Sequence, residues 1–123
     1  MSHYVAQVGI VKIKPEYIEQ FRYMYNGEYD KVTDEIFIRF INDYCIDDEY
    51  KNASRDISKW KHGNEKKDWI GKYETSYLDG VFTYGISYNE YNHEMFEFVD
   101  SFMLELLFKI KKQVIFRDIW EEP

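Results

Sequence analysis

Apolar and polar positions along the chain predict an alternation of strands and helices. Residues 4–14 (YVAQVGIVKIK) are apolar on both alternating sets, which is typical of a central strand rather than an edge strand. Lys14-Pro15-Glu16 then favours a helix start, because proline fits the first turn and an acid suits the helix dipole. This first helix is expected to end at Asn26-Gly27, and its apolar positions are Ile18, Phe21, Met24 and Tyr25.

A second helix is predicted over VTDEIFIRFINDY, with Thr33 as its N-cap. Its apolar face comprises Ile36, Phe37, Phe40, Ile41 and Tyr44. The run IFIRFI taken alone also fits a strand. Residues 46–71 are polar and are expected to form a long inserted loop, with a short helix around 54–60.

The run YETSYLDGVFTYGISY predicts a β-hairpin, because Asp79-Gly80 separates two β-rich stretches. A two-residue turn would pair Leu78 with Val81, Tyr77 with Phe82, Thr75 with Tyr84 and Tyr73 with Ile86. One face of this hairpin would then be strongly aromatic, and we expect it to face the core: Tyr73, Thr75, Tyr77, Phe82, Tyr84, Ile86 and Tyr88.

Residues 93–110 give the clearest helical pattern, and QVIFRDIW, residues 113–120, predicts a last strand. On a helical projection the core side of 93–110 comprises Met95, Phe96, Val99, Phe102, Met103, Leu106 and Ile110. The resulting order predicts a single α+β domain over 1–123, with a ferredoxin-like (split βαβ) antiparallel sheet, helices on one face, and the inserted helix and polar loop after the first helix. This likeness is one of topology, and a fold alone does not give a function.

Composition indicates a folded protein and narrows its partners. The chain is 45% hydrophobic and 32% charged, with a net charge of −7, and it has 12 Tyr, 9 Phe and 3 Trp. Residues 28–50 sum to −6, residues 51–72 to +4 and residues 73–104 to −6. The electrostatic field of such a chain repels phosphate, so direct binding to nucleic acid or to anionic membranes is not favoured. A basic protein surface is the favoured partner. The N-terminal residues lack a secretory signal pattern and Cys45 is the only cysteine, so we expect a cytoplasmic protein.

The stretch SYNEYNHEMFEF, residues 87–98, resembles a catalytic or metal site at first reading. Glu90-x-x-His93 has the spacing of carboxylate-bridged di-iron bundles, but these need a second copy of the motif, and the chain has none. Acids and a capping Asn89 or Asn92 are equally typical of a helix start, and the acids and His93 fall opposite the predicted core side. The sequence therefore predicts a helix N-terminus here, and no metal, cofactor or catalytic residue.

The basic loop KWKHGNEKKDW, residues 59–69, alternates lysines with Trp60, His62 and Trp69. This mixture can bind phosphate and stack on bases, but the loop is short and the chain outside residues 51–72 carries −11. We expect Trp60 and Trp69 to pin the loop to the body of the protein. The alternative is that they contact a partner protein.

The leading hypothesis is a small acidic protein-binding module of the inhibitor, immunity-protein or phage anti-defence type, which docks on a basic partner such as a nuclease. Its candidate partner-binding residues are Asp43, Asp47, Asp48, Glu49, Trp60, Trp69, Leu104 and Phe108. Leu104 and Phe108 are expected to be buried either by the inserted helix or by a second subunit. The alternative is a dimeric ferredoxin-like protein that binds or transforms a small molecule in a pocket lined by Tyr84, Tyr88 and His93. The known catalytic motifs are missing, so an enzyme is not favoured.

Overall fold

The computed structural model describes residues 3–122 and is an α+β fold built on one four-stranded antiparallel sheet. The strands are β1 (Tyr4–Ile13), β2 (Ser76–Leu78), β3 (Val81–Asn89) and β4 (Lys111–Glu121), in the order β2-β3-β1-β4. The prediction of a central first strand is confirmed, because β1 pairs with both β3 and β4. β4 is a long edge strand whose outer side has no neighbour within the described residues.

Three helices cover one face of the sheet. α1 (Ile18–Tyr25) follows a 3₁₀ turn, Pro15–Tyr17, and its C-cap Asn26 is followed by Gly27, whose φ of 74° suits glycine. α2 (Glu35–Phe40) continues as a π-helical segment, Ile41–Cys45. α3 (His93–Ser101) continues through π-helical Phe102–Leu107 and a last turn, Phe108–Ile110. These three stretches are called the 93–110 helix below.

Of two local predictions about the inserted region, the N-cap is wrong and the short helix is present in part. The N-cap of α2 is Asp34, whose Oδ1 accepts from Ile36 N at 2.9 Å, while Thr33 is bonded to the side chain of Gln20. The two hydrogen bonds between Gln20 and Thr33 fix Thr33 outside the helix, so the next residue caps it. The short helix expected around 54–60 is present as a single 3₁₀ turn, Ile57–Lys59.

The hairpin follows the predicted register near its turn and departs from it further away. Leu78 pairs with Val81 and Tyr77 with Phe82, as expected. The ladder begins only at Ser76, because Thr75 uses its hydroxyl to bond the backbone N–H of Gly85 at 3.1 Å. The predicted pairings of Thr75 with Tyr84 and of Tyr73 with Ile86 are therefore wrong.

The helix-covered face carries the main core, which is strongly aromatic. Phe82, Tyr84, Ile86 and Tyr88 of β3 are buried there, as predicted for the aromatic face of the hairpin. Tyr73 is the exception, since its ring lies on the opposite face and stacks on Phe116 at 5.2 Å. That second face carries a much smaller cluster, and the loop of residues 61–72 covers it.

The projection of the 93–110 helix is correct except at three positions. Phe96 is 44% exposed, whereas Phe98 and Leu107, which the projection left outside the core, are fully buried. Phe98 is covered because the ring of Phe40 from α2 lies 5.7 Å away and the ring of Trp60 lies 6.4 Å away. The inserted region thus gives this helix a second buried side that a single core stripe does not include.

Candidate functional site

The predicted acidic segment lies on the surface between α2 and a short turn. Asp43 lies on the π-helical end of α2. Asp47 precedes the 3₁₀ turn Asp48–Tyr50, and Asp48 and Glu49 lie within it. All four side chains are exposed. Asp47 also has a structural role, because its Oδ1 accepts from Glu49 N at 2.8 Å and caps the turn.

Two hydrogen-bonded contacts join this segment to the outer side of the 93–110 helix. Tyr50 Oη donates to Glu97 Oε2 at 2.9 Å, and Asn52 donates from Nδ2 to Glu94 Oε2 at 3.2 Å. The fold thereby adds two carboxylates, distant in the sequence, to the predicted four. We call this combined set the acidic face: Asp43, Asp47, Asp48, Glu49, Glu94 and Glu97.

The sequence does indicate that Glu94 and Glu97 are on the surface, because they fall opposite the core side of their helix. Their partnership with the 43–49 segment depends on the docking of Tyr50 and Asn52, which no local pattern encodes.

The acidic face keeps its charges largely unpaired. None of the salt bridges within residues 3–122 uses one of its six carboxylates. The guanidinium of Arg55 donates to the backbone carbonyl oxygens of Asp47 at 2.7 Å and of Tyr44 at 3.5 Å. Arg55 therefore fixes the backbone of the segment and leaves the carboxylates available.

Half-buried tyrosines lie beside these carboxylates. The rings of Tyr44 and Tyr50 lie 5.1 Å apart, and both side chains are partly covered. Partial burial and the hydrogen bond to Glu97 raise the pKa of Tyr50, so it remains a neutral donor at physiological pH. Next to Tyr44 is a cavity of about 330 Å³ whose lining mixes acids with Arg39 and Lys109. Aromatic groups beside exposed charge are typical of protein interfaces.

The structure does not place Trp60 and Trp69 on the surface. Trp60 is 2% exposed, and its Nε1 donates to Ser54 O at 2.8 Å while its ring lies against Phe98 and Phe102 in the main core. Trp69 is 3% exposed and packs on Ala6 and Val8 on the second face of the sheet. Both indoles are enclosed, so their assignment as partner contacts is wrong and the expectation that they pin the loop is confirmed.

The basic loop itself lies over β3. His62 contacts Gly85 so closely that an added Cβ there would lie 2.4 Å from His62 Cδ2. Ser87 N donates to Lys61 O at 2.9 Å, and Gly63 N donates to Ser87 Oγ at 2.9 Å. These contacts leave a cavity of about 450 Å³ lined by Ser58, Lys59, Trp60, Lys61, His62, Gly63, Asn64, Ile70, Gly71, Tyr73, Glu74 and Thr75.

Tyr84, Tyr88 and His93 do not share a pocket. Tyr84 is fully buried in the main core, and His93 is exposed at the start of α3. Tyr88 lines a groove of about 180 Å³ between the sheet and the 93–110 helix, where its Oη accepts from Gln7 Nε2 at 2.9 Å. The sequence did not identify Gln7, although a polar residue inside an apolar central strand was a usable signal. Its Oε1 is buried without a hydrogen-bond partner among the described residues.

The SYNEYNHE stretch forms the start of a helix. Asn92 Oδ1 accepts from Met95 N at 3.2 Å, which identifies the cap between the two candidates. Glu90 lies 3.4 Å from His3 Nε2 and so has a partner other than His93. Within residues 3–122, no three side chains of His, Cys, Asp or Glu gather in a group that could hold a metal ion.

Leu104 and Phe108 have different environments. Phe108 is half-buried and packs against the main core, and the guanidinium of Arg117 lies 5.1 Å from its ring centre. Leu104 is 56% exposed in the groove beside β4, so α2 does not cover it. Of the two covers predicted for Leu104, only the second subunit is left.

Over the described residues, none of the helices has the length and apolar character needed to cross a membrane. Comparisons of the chain with protein-family models, with curated proteins and with solved structures found no match.

Proposed function

We propose that the protein is a small acidic cytosolic protein-binding module that docks through the acidic face on a basic partner. The partner class is a nuclease or another nucleic-acid-handling protein, so the module would be of the inhibitor, immunity-protein or phage anti-defence type. One observation carries the proposal: six carboxylates from two parts of the chain gather on one surface, outside the salt bridges found within residues 3–122.

The chemistry of this surface suits a partner that binds phosphate. Carboxylates presented together can mimic the charge of a phosphate backbone and steer a basic surface toward the complex. The neighbouring Tyr44 and Tyr50 supply rigid aromatic area, which contributes contact energy once the partner has excluded water. The net charge of −7 adds long-range attraction that salt will screen.

The test begins with capture of a partner by the immobilised protein and continues with association rates against salt concentration. The face variant carries Asp43→Lys, Asp48→Lys and Glu49→Lys, and it spares Asp47 because that residue caps its turn. Three reversals of two charges each change the net charge from −7 to −1. We expect association to slow by about tenfold at low salt, with little change in folding.

A matched control carries Glu16→Lys, Asp68→Lys and Glu74→Lys, which are exposed carboxylates outside the acidic face. It has the same net charge of −1, so it separates the effect of this surface from that of total charge. A loss of rate confined to the face variant would support the proposal. Equal rates for the two variants, with an unchanged salt dependence, would contradict it.

We also propose that the fold is ferredoxin-like, with a split βαβ arrangement. Read from the β4 edge, the strand order is β4-β1-β3-β2, and every neighbouring pair is antiparallel. The element order, with α1 and the inserted α2 before the hairpin and the 93–110 helix after it, supports this assignment. An experimental structure would test it through the handedness of the two crossovers.

Small-molecule binding is the second candidate, and the cavity beneath the basic loop favours it. Its volume of about 450 Å³ is in the usual range for ligand sites, and Lys59, Lys61 and His62 give it donors. Thermal-shift screening of anionic metabolites against the wild type and His62→Ala tests this candidate. Stabilisation that disappears in the variant would favour it over the binding module.

A further inference from the structure

The outer edge of β4 is not covered by any part of residues 3–122. β4 is 11 residues long, and its exposed apolar side chains are Val114, Ile115, Phe116 and Ile119. Beside it, Phe96 and Leu104 of the 93–110 helix are 44% and 56% exposed and line the same groove as Ile119. A long apolar edge strand presents unpaired backbone groups and is a template for another strand.

The hydrogen-bond pattern shows which backbone groups point outward. Glu122 N donates to Tyr4 O at 3.0 Å, so Tyr4 and Glu122 stand at a hydrogen-bonded pair of the β1–β4 ladder, in which Tyr4 N donates to Glu122 Oε2 at 3.2 Å. Such pairs alternate with non-bonded pairs along an antiparallel ladder, and Arg117, Ile119 and Glu121 therefore direct their N–H and C=O groups away from β1. Consistent with this, the N–H of Ile119 bonds to the side chain of its own neighbour, Asp118 Oδ1, at 3.0 Å.

We propose that the edge of β4 pairs with β4 of a second copy of this chain, antiparallel and about a twofold axis through Ile119. In this register Ile119 faces Ile119 of the partner subunit. Arg117 faces Glu121 of the partner subunit, and the twofold axis repeats this pair on the other side of Ile119. All three outward-pointing residues then form hydrogen-bonded pairs, and each cation lies opposite a carboxylate. An axis through Asp118 would place Asp118 opposite Asp118 of the partner subunit, and an axis through Trp120 would place Trp120 opposite Trp120 of the partner subunit. Both alternatives lose the two ion pairs.

The exposed side chains beside the strand fit the same occupant. Arg117, Ile119 and Glu121 share the helix-covered face, where Phe96, Leu104 and Ile119 line one groove. Two such grooves meet across the axis, so each copy extends the apolar surface of the other. The Asp118 carboxylate, freed from Ile119 N–H, keeps its bond to Lys66 Nζ at 3.1 Å. This assembly is independent of the partner proposed for the acidic face.

The test measures the mass of the full chain in solution by sedimentation equilibrium. The chain mass is 15.1 kDa, and we expect twice that mass at about 100 μM. Arg117→Glu and Glu121→Arg each place like charges opposite one another and should weaken dimerisation by about tenfold or more. The double variant Arg117→Glu with Glu121→Arg restores the opposite charges and should recover most of the affinity.

The control is Leu78→Asp, which places a charge on β2, the other edge of the sheet, where Leu78 is 72% exposed. It should leave the dimer intact, and circular dichroism with thermal melting checks that the wild type and all four variants are folded. The inference is overturned if the wild type is monomeric at about 100 μM. It is also overturned if Leu78→Asp weakens the dimer, or if the charge-swapped double variant fails to recover it.

Discussion

Gly9 lies directly under a buried tyrosine ring, and replacing it by alanine gives the sharpest test of the core. Gly9 pairs with Tyr84 across β1 and β3, and the ring of Tyr84 folds over it. A Cβ at Gly9 would lie 2.6 Å from Cε1, Cζ and Oη of that ring, about 1 Å inside ordinary van der Waals contact. The ring is fully buried and stacks on Phe82 at 5.4 Å, so it cannot move freely.

The size of the effect comes from two opposing contributions. Overpacking of a dense core costs about 1–3 kcal/mol, and a rigid aromatic neighbour places Gly9→Ala at the upper end of that range. Alanine in a strand recovers about 0.5–1 kcal/mol of backbone entropy relative to glycine. We therefore expect Gly9→Ala to lower the free energy of unfolding by about 2 kcal/mol, which corresponds to a fall in Tm of about 6–10 °C.

Urea denaturation of a double-mutant cycle measures this effect. The cycle compares Gly9→Ala in the wild type with Gly9→Ala in a Tyr84→Leu background, where the obstructing ring is gone. The cost of the alanine should then fall below about 0.5 kcal/mol, which gives a coupling of about 1.5 kcal/mol or more between the two sites. An equal cost in both backgrounds, at unchanged m-values, would refute the packing argument.

Burial raises the pKa of Cys45 from 9.0 to about 11, so its thiol should react far more slowly with a disulfide reagent in the native protein than in denaturant. Because the thiol of the unfolded chain ionises at lower pH, the free energy of unfolding should fall as the pH rises from 9.0 to about 11. Urea denaturation at several pH values would show this fall. Gly85→Ala should displace His62 and increase protease cleavage within residues 61–72, because its Cβ would lie 2.4 Å from the imidazole. Trp60→Ala should lower the free energy of unfolding by about 3–5 kcal/mol, measured by chemical denaturation, since it removes a large side chain from the main core. His93→Ala should change stability by less than about 1 kcal/mol, and titration calorimetry of Zn, Mn and Fe should be the same for variant and wild type, because the residue is exposed.

The hairpin shows how far a local signal reaches. Asp79-Gly80 predicts the turn because both residues must adopt positive φ, and they do so at 51° and 79°. The register near the turn follows from this local geometry. Tyr73 departs from it because the side chain of Thr75 replaces a backbone pairing and Phe116 of β4 offers a stacking partner. The alternation of apolar and polar positions over residues 73–88 predicts neither of these contacts.

The acidic face illustrates the same limit at the level of the site. Charge density alone predicted Asp43, Asp47, Asp48 and Glu49 as a surface, since a run of exposed acids is readable without a fold. The contribution of Glu94 and Glu97 depends on long-range hydrogen bonds from Tyr50 and Asn52. The burial of Trp60 could not be read from its lysine neighbours, because the alternation of charge and ring is identical in a binding loop and in an anchored one.

The unequal covering of the two sides of the sheet implies that the protein opens in stages. The helix-covered side buries a large aromatic core, whereas the other side is closed by Trp69, Ala6 and Val8, with Tyr73 and Trp120 packed at the margin. So little apolar area should allow the 61–72 loop to detach at a fraction of the global unfolding free energy. In native-state hydrogen exchange, the Ser87 amide bonded to Lys61 should then behave as part of a separate, weaker foldon than the β1–β3 ladder.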